Sequence, residues 1–289
     1  MQRSEKNMNI NSVYAENTVV FKGIVDYDLA QTFNCGQCFR WDENNGIWQG
    51  FAGKYPCKVW IKETDLYVES LTDVENSDEF TEYMAHYLGL DLDYARLKQQ
   101  FAADATMAQA IEYAPGIRVL NQPFFETLLT FIISRNNNIP RIKKIVDRMA
   151  QTYGTKTGDL WAFPTAEQLK NVSIEEYNQL RMGFRSKYIF DAVQKVLTGE
   201  IDEATVKSLP YAEAQKYLMK IKGVGPKVAD CVLLFSCEKY ESFPKDVWIN
   251  RALRQLFPDG LPECIKGMEG IAQQYIFHYS RMHPELFDN

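Results

Sequence analysis

The sequence is poor in histidine. Only His86, His278 and His283 occur, scattered along the chain, and they are read as giving no metal site. Long hydrophobic runs are missing as well. None approaches the roughly 18 residues of a membrane span, and the polar start MQRSEKNMN lacks the apolar core of a secretion signal. The expectation is an intracellular protein with no membrane contact. Without a secretion signal, the six cysteines (35, 38, 57, 231, 237 and 264) are expected to be free thiols rather than a disulfide framework. Cys35-Gly-Gln-Cys38 has the spacing of a redox or half-zinc motif, but it precedes a strand and has no second pair, so it reads as coincidence. Internal repeats and low-complexity linkers are absent too, which excludes solenoids and tethered modules.

What is present is an ordinary globular composition. The chain has 289 residues, 46% hydrophobic, 24% charged and 13% aromatic, enough to bury a core as two domains or one large one. The net charge of -6 argues against a polyanionic partner, yet the average conceals an asymmetry. From Lys62 to Asp104 there are 11 acids against 3 bases, whereas from Phe131 to Phe190 there are 10 bases against 5 acids. A basic central third keeps phosphate binding open, and a solvated helix face explains the same charges equally well.

Taken in order, residues 1 to 17 are polar and expected to fray, with Val19, Val20 and Phe21 the first strand-like run. FRWDENNGIWQGF (39 to 51) reads as two strands around Asn-Asn-Gly, and CKVWIKETDLYVES (57 to 70) repeats the pattern. Near Asp78 the period becomes helical, with Gly89 a C-cap, and the remainder reads as helices. Pro115 and Gly116 break the pattern before the apolar helix 124 to 134, and three asparagines separate it from a helix carrying Pro140 early. Capping boxes at Thr165 with Gln168 and Ser173 with Glu176 mark two helix starts, and Gly183 is expected to end the second helix. The last helix is expected over 270 to 282. The fold class is α+β: an N-terminal antiparallel β-sheet domain with flanking helices over 1–115, followed by a mainly α-helical body over 116–289.

The chemistry concentrates between Leu218 and Arg251. Gly223 and Gly225 permit a tight turn or close backbone approach, and Pro226 suits the first position of the next helix. That helix start has bare N–H groups, which can hold a phosphate through backbone alone. Lys227 follows in the first turn, where desolvation and the helix dipole disfavour the ammonium and should lower its pKa from about 10.4. Nineteen residues later Asp246 is a good N-cap, ionised and placed to steady a cation or take a proton. On local chemistry two readings stand: nucleophile and carboxylate, or phosphate contact and simple cap.

KGVGPKVADC followed by FPKDVW resembles the signature of helix-hairpin-helix glycosylases, most closely the 8-oxoguanine DNA glycosylase/AP lyase family of the human type. The similarity runs from about Phe33 to Phe277, with CGQCFRW, GIRVLNQPFFETLLTFIISRNNNIPRI, MGFRSKYI and GIAQQYIF in the family's order. The resemblance implies a bifunctional enzyme acting on double-stranded DNA with oxidised guanine opposite cytosine. Lys227 would attack C1′ and form a Schiff base that permits β-elimination, with Asp246 supporting the oxocarbenium-like transition state. It implies a damaged-base pocket of Gly36, Cys231, Gln273 and Phe277, where the Gly36 carbonyl accepts from the N7–H that guanine lacks. Asn136 would fill the vacated stack, Phe184 would act as wedge, and Arg141 and Arg185 would read the orphaned cytosine. Gly223, Gly225 and Trp248 would meet the DNA backbone. The resemblance further implies a monomer without a cofactor beyond a monovalent cation at the hairpin, in the cytoplasm and nucleoid of a prokaryote or the nucleus of a eukaryote.

Three positions depart from the pattern: Lys222 where a proline is common, Trp248 where human-type members carry histidine, and Phe184 in place of tyrosine. Cys231, Cys237 and Cys264 are too few and too far apart for the iron–sulfur cluster of the endonuclease III branch. A non-catalytic hairpin module would need neither Lys227 nor Asp246, and an alkylated-base glycosylase would keep the aspartate but lack the lysine.

Overall fold

The computed structural model describes residues 10–287, so the polar start MQRSEKNMN lies outside the described residues. Strands β1 (Ser12–Ala15), β2 (Thr18–Phe21), β3 (Trp41–Asn44), β4 (Ile47–Ala52), β5 (Tyr55–Lys62) and β6 (Asp65–Ser70) form one antiparallel sheet in the order β1-β2-β6-β5-β4-β3. β1 corrects the expectation that the first 17 residues fray. It is an edge strand pairing only with β2, and its side chains are at most half-buried, so its hydrophobic alternation is weak. The β3–β4 hairpin turns at Asn45 and Gly46, both with positive φ (53° and 81°), the geometry that matches strand twist.

Four helices accompany the sheet: α1 (Leu29–Phe33), α2 (Ser77–Tyr87), α3 (Tyr94–Phe101) and α4 (Ala105–Tyr113). Phe33 stacks on Trp41 at 4.5 Å, and the Trp41 indole donates to Tyr87 Oη at 3.0 Å, tying α1 and α2 to the sheet.

Seven helices follow: α5 (Phe124–Ser134), α6 (Ile139–Tyr153), α7 (Ile174–Gln179), α8 (Ser186–Leu197), α9 (Glu203–Ser208), α10 (Tyr211–Leu218) and α11 (Pro226–Cys237). A two-residue ladder, β7 (Lys156–Thr157) with β8 (Leu160–Trp161), lies between α6 and α7. α5 and α11 are apolar nearly all round and pack on each other, with Phe131 stacked on Phe235 at 5.3 Å. The Ser173–Glu176 capping box forms as expected. Thr165 and Gln168 also bond reciprocally, yet residues 166–171 make only turns, because a second box begins eight residues after the first. Gly183 does not end a helix either. α7 stops at Gln179, Arg181 takes a positive φ of 62°, and Gly183 opens a 3-10 turn, Gly183–Arg185, that runs straight into α8.

The chain then supplies α12 (Val247–Gln255) and α13 (Glu269–Met282), which pack together, α13 also lying on α4. Two compact units result. Of the described residues, one comprises those up to Gln37, Trp41–Asn121 and those from Lys245 onward; the other comprises Cys38–Arg40 and Gln122–Pro244. The units do not follow the division into 1–115 and 116–289, because α12 and α13 return to the sheet-bearing unit.

Candidate active site

In the helical unit the hairpin between α10 and α11 is built as its glycines require. Gly223 has φ +84°, and a Cβ there would lie 2.4 Å from the ring of Tyr188. Gly225 is different: its backbone is extended (φ -104°, ψ -177°), and nothing lies within 4 Å of where its Cβ would be. Gly225 is the N-cap of α11, no side chain caps that helix, and Pro226 holds the first position. The bare, open helix start expected from the sequence is therefore present. Asp191 of α8 supports the turn, accepting from the Lys222 backbone N–H at 2.7 Å, and the Lys222 ammonium stands 3.6 Å from the same carboxylate.

Lys227 is half-buried in the first turn of α11, its Nζ 5.2 Å above the ring of Phe131, and no carboxylate of the helical unit pairs with it. Cys231, one turn on along the same face, is buried. Asp230 fixes the angle of the hairpin by accepting from Tyr211 Oη at 2.9 Å and Gln215 Nε2 at 2.6 Å.

The three asparagines divide their work. Asn137 Nδ2 donates to the Ile133 carbonyl at 3.1 Å and closes α5, while Asn138 caps α6 by accepting from the Arg141 N–H at 3.0 Å. Asn136 is exposed, carries a positive φ of 46°, and its side chain bonds to no described residue. Phe184 is 48% exposed, edge-on to Tyr188 at 6.0 Å and beneath the Arg185 guanidinium at 4.4 Å. Arg141 is exposed, with one long contact of 3.5 Å to the Arg181 carbonyl.

Arg185 departs from the base-reading expectation. It is 2% exposed, and its guanidinium donates from Nε to the Arg135 carbonyl (2.9 Å), from Nη1 to Met182 (3.2 Å), and from Nη2 to the carbonyls of Arg135 and Asn136. As it stands the group braces the asparagine loop rather than facing outward. Burial lowers its pKa, and the neighbouring charges of Arg141 and Arg135 lower it further.

In the sheet-bearing unit Asp246 caps α12, accepting from the Ile249 N–H at 2.8 Å. Trp248 lies edge-on to Phe287 at 6.5 Å and under Arg251 at 5.2 Å. Gly36 has φ +82° in a loop pinned by Gln37, whose buried amide donates to the carbonyls of Thr32 (2.8 Å) and Arg118 (2.7 Å) and accepts from the Leu120 N–H (2.8 Å). On α13, Gln273 is buried with its oxygen accepting from Gln274 at 2.6 Å, and Phe277 is half-buried with Arg281 over its ring at 5.5 Å. None of the six cysteines forms a disulfide, and no cluster of histidine, cysteine or acidic residues among the described residues could hold a metal ion. No helix among them is long and apolar enough to cross a membrane.

The 8-oxoguanine DNA glycosylase N-terminal domain family matches residues 19–128. The N-glycosylase/DNA lyase OGG1 of Arabidopsis thaliana is 31% identical over 245 residues, 80% of this chain and 67% of that protein. The chain belongs to the 8-oxoguanine DNA glycosylase/lyase family. An 8-oxoguanine glycosylase/lyase of Clostridium acetobutylicum, solved with double-stranded DNA containing cytosine opposite 8-oxoG, is similar with TM-score 0.89 and 33% identity, covering 96% of this chain and 100% of that one. MBOgg1 in complex with a low-affinity DNA ligand gives TM-score 0.89 and 36% identity over the same shares.

Gln37, Tyr188, Asp191 and Asp230 escaped the sequence reading. Each acts on a partner more than ten residues away, so no local pattern marks it.

Proposed function

We propose that this family member excises 8-oxoguanine opposite cytosine from duplex DNA and then nicks the strand, with Lys227 as nucleophile. The observation that carries the assignment is the place of Lys227: the first turn of a helix whose N-terminus no side chain caps, beside the open Gly225, and unpaired with any carboxylate of its unit. The hairpin holds a phosphate by its free N–H groups, and the amine two residues along meets the sugar attached to it.

In the first step the Lys227 amine forms a bond to C1′ as the C1′–N9 bond breaks, and the electron pair leaves with the base, which takes up a proton. Asp246, fixed by its capping bond, steadies the positive charge that grows on the sugar. The sugar ring then opens to a Schiff base, loss of the C2′ proton expels the 3′ phosphate, and water releases the lysine. This chemistry runs on an amine and a carboxylate; a monovalent cation at the hairpin carbonyls would serve only the phosphate clamp.

Recognition falls to other residues. The Gly36 carbonyl accepts from the N7–H that guanine lacks, Gln273 offers donor and acceptor to the Watson–Crick edge, and Phe277 and Cys231 each serve as a stacking contact for the base. Asn136 fills the vacated stack, with Phe184 as wedge. Arg141 reads the N3 and O2 acceptors of cytosine, and Arg185 does so on leaving the loop carbonyls. Trp248 faces the backbone in place of a histidine. The protein works as a monomer inside the cell, where the substrate is.

Base release from duplexes carrying 8-oxoguanine opposite each of the four bases tests this reading. Release with preference for cytosine supports it; tight duplex binding without release would point to a non-catalytic hairpin module. Release of alkylated bases alone would point to the other glycosylase branch.

A further inference from the structure

Arg135 has no part in the chemistry proposed above. It closes α5 immediately before Asn136, and its own carbonyl is held by Arg185. Its guanidinium lies 5.1 Å over the ring of Tyr188, but it forms no hydrogen bond or ion pair with any described residue, and Nη1 is buried without an acceptor. A buried guanidinium nitrogen that donates to nothing is costly, and such groups in native proteins point to a missing partner. The surroundings say what kind. The positive charges of Arg135 and Arg141 both act on Arg185. An arginine cluster of this sort is self-repelling until an anion enters it.

We propose that Arg135, laid over Tyr188, binds one phosphodiester of the DNA beside the Asn136 loop. The planar fork presents two parallel donors to two phosphate oxygens, and the ring fixes the fork so that little side-chain entropy is lost on binding. The same ring touches two other working parts: the face of Gly223 packs on it and Phe184 meets its edge. Tyr188 therefore sets the position of Arg135 relative to the hairpin clamp and the wedge. This proposal rests on the reading that the chain acts on duplex DNA.

The test uses the full chain and a duplex with a reduced, uncleavable abasic site opposite cytosine, so that binding is read without turnover. Affinity is measured against salt, and single linkages around the site are replaced one at a time by uncharged methylphosphonate. Arg135→Ala is expected to weaken binding about tenfold and to reduce the log–log salt slope by about 1. One methylphosphonate should weaken the wild type and leave Arg135→Ala indifferent. Arg135→Lys should keep the slope while binding less tightly, Tyr188→Phe should match the wild type, and Tyr188→Leu should bind like Arg135→Ala. An unchanged slope in a folded Arg135→Ala protein, or a linkage profile identical to wild type, overturns the assignment. Base release by the wild type is scored separately: its failure with the phosphate contact intact would remove the enzymatic reading and leave this one standing.

Discussion

The Arg185 guanidinium donates from Nη2 to the carbonyl oxygen of Asn136 at 2.7 Å. One of the two arginines expected to read the orphaned base is therefore bonded to the residue expected to replace the lost one. The contact makes the asparagine loop and the arginine a single piece. Asn136 can hold its left-handed backbone because the carbonyl is satisfied, a conformation that asparagine tolerates better than most residues.

The two arginines should separate under mutation. Arg185→Ala removes a buried cation and strands several carbonyls, so it should cost about 2–3 kcal/mol of stability. Arg141→Ala removes an exposed side chain and should move stability by no more than about 0.5 kcal/mol, while relaxing the preference for cytosine. Thermal unfolding and base release opposite all four bases check both.

The hairpin glycines make a second pair. Gly223→Ala drives a Cβ into the Tyr188 ring at a left-handed φ, and should cost roughly 2 kcal/mol or more as well as DNA affinity. Gly225→Ala meets no atom and keeps its extended backbone, so stability should fall by less than about 1 kcal/mol. DNA affinity should nevertheless drop, because the methyl stands where the backbone is open. Denaturation midpoints and duplex binding read the two effects.

Much of this was legible in the sequence, and the reasons are local. The Asn45-Gly46 hairpin, the apolar α5, the Ser173 capping box and the bare start of α11 each follow from a few adjacent residues. β1 was illegible because an edge strand buries too little to show a pattern, and the early end of α7 because nothing adjacent announces the left-handed Arg181. At the site, residue types in family order supply the roles proposed for Lys227, Asp246 and Asn136. The bracing by Arg185, Tyr188, Asp191 and Gln37 was hidden, since each depends on partners brought close only by folding.

Asp246→Asn separates the cap from the charge. Asparagine caps a helix start as well as aspartate, so the fold should hold, and any loss of stability should stay below about 1 kcal/mol. Without the carboxylate the sugar cation loses its counter-charge, and single-turnover base release should fall by about 10²-fold or more. A fully active, stable Asp246→Asn protein would reduce Asp246 to a cap.

His278 on α13 gives a pH signature. Burial lowers its pKa first, with Arg281 and His283 acting in the same direction and Asp28 opposing them. The unfolded chain thus binds the proton more tightly than the folded one, so stability is present above about pH 6.5 and declines as pH falls through and below that value. Melting temperature followed from pH 7.5 to 5 should fall, and His278→Gln should flatten that part of the curve.

The central claim is that Lys227 forms a covalent bond with the sugar. The direct measurement is borohydride trapping on a duplex with 8-oxoguanine opposite cytosine, comparing wild type with Lys227→Gln. A trapped protein–DNA complex is expected for the wild type and none for a folded, DNA-binding Lys227→Gln variant. A trapped complex with Lys227→Gln would contradict it.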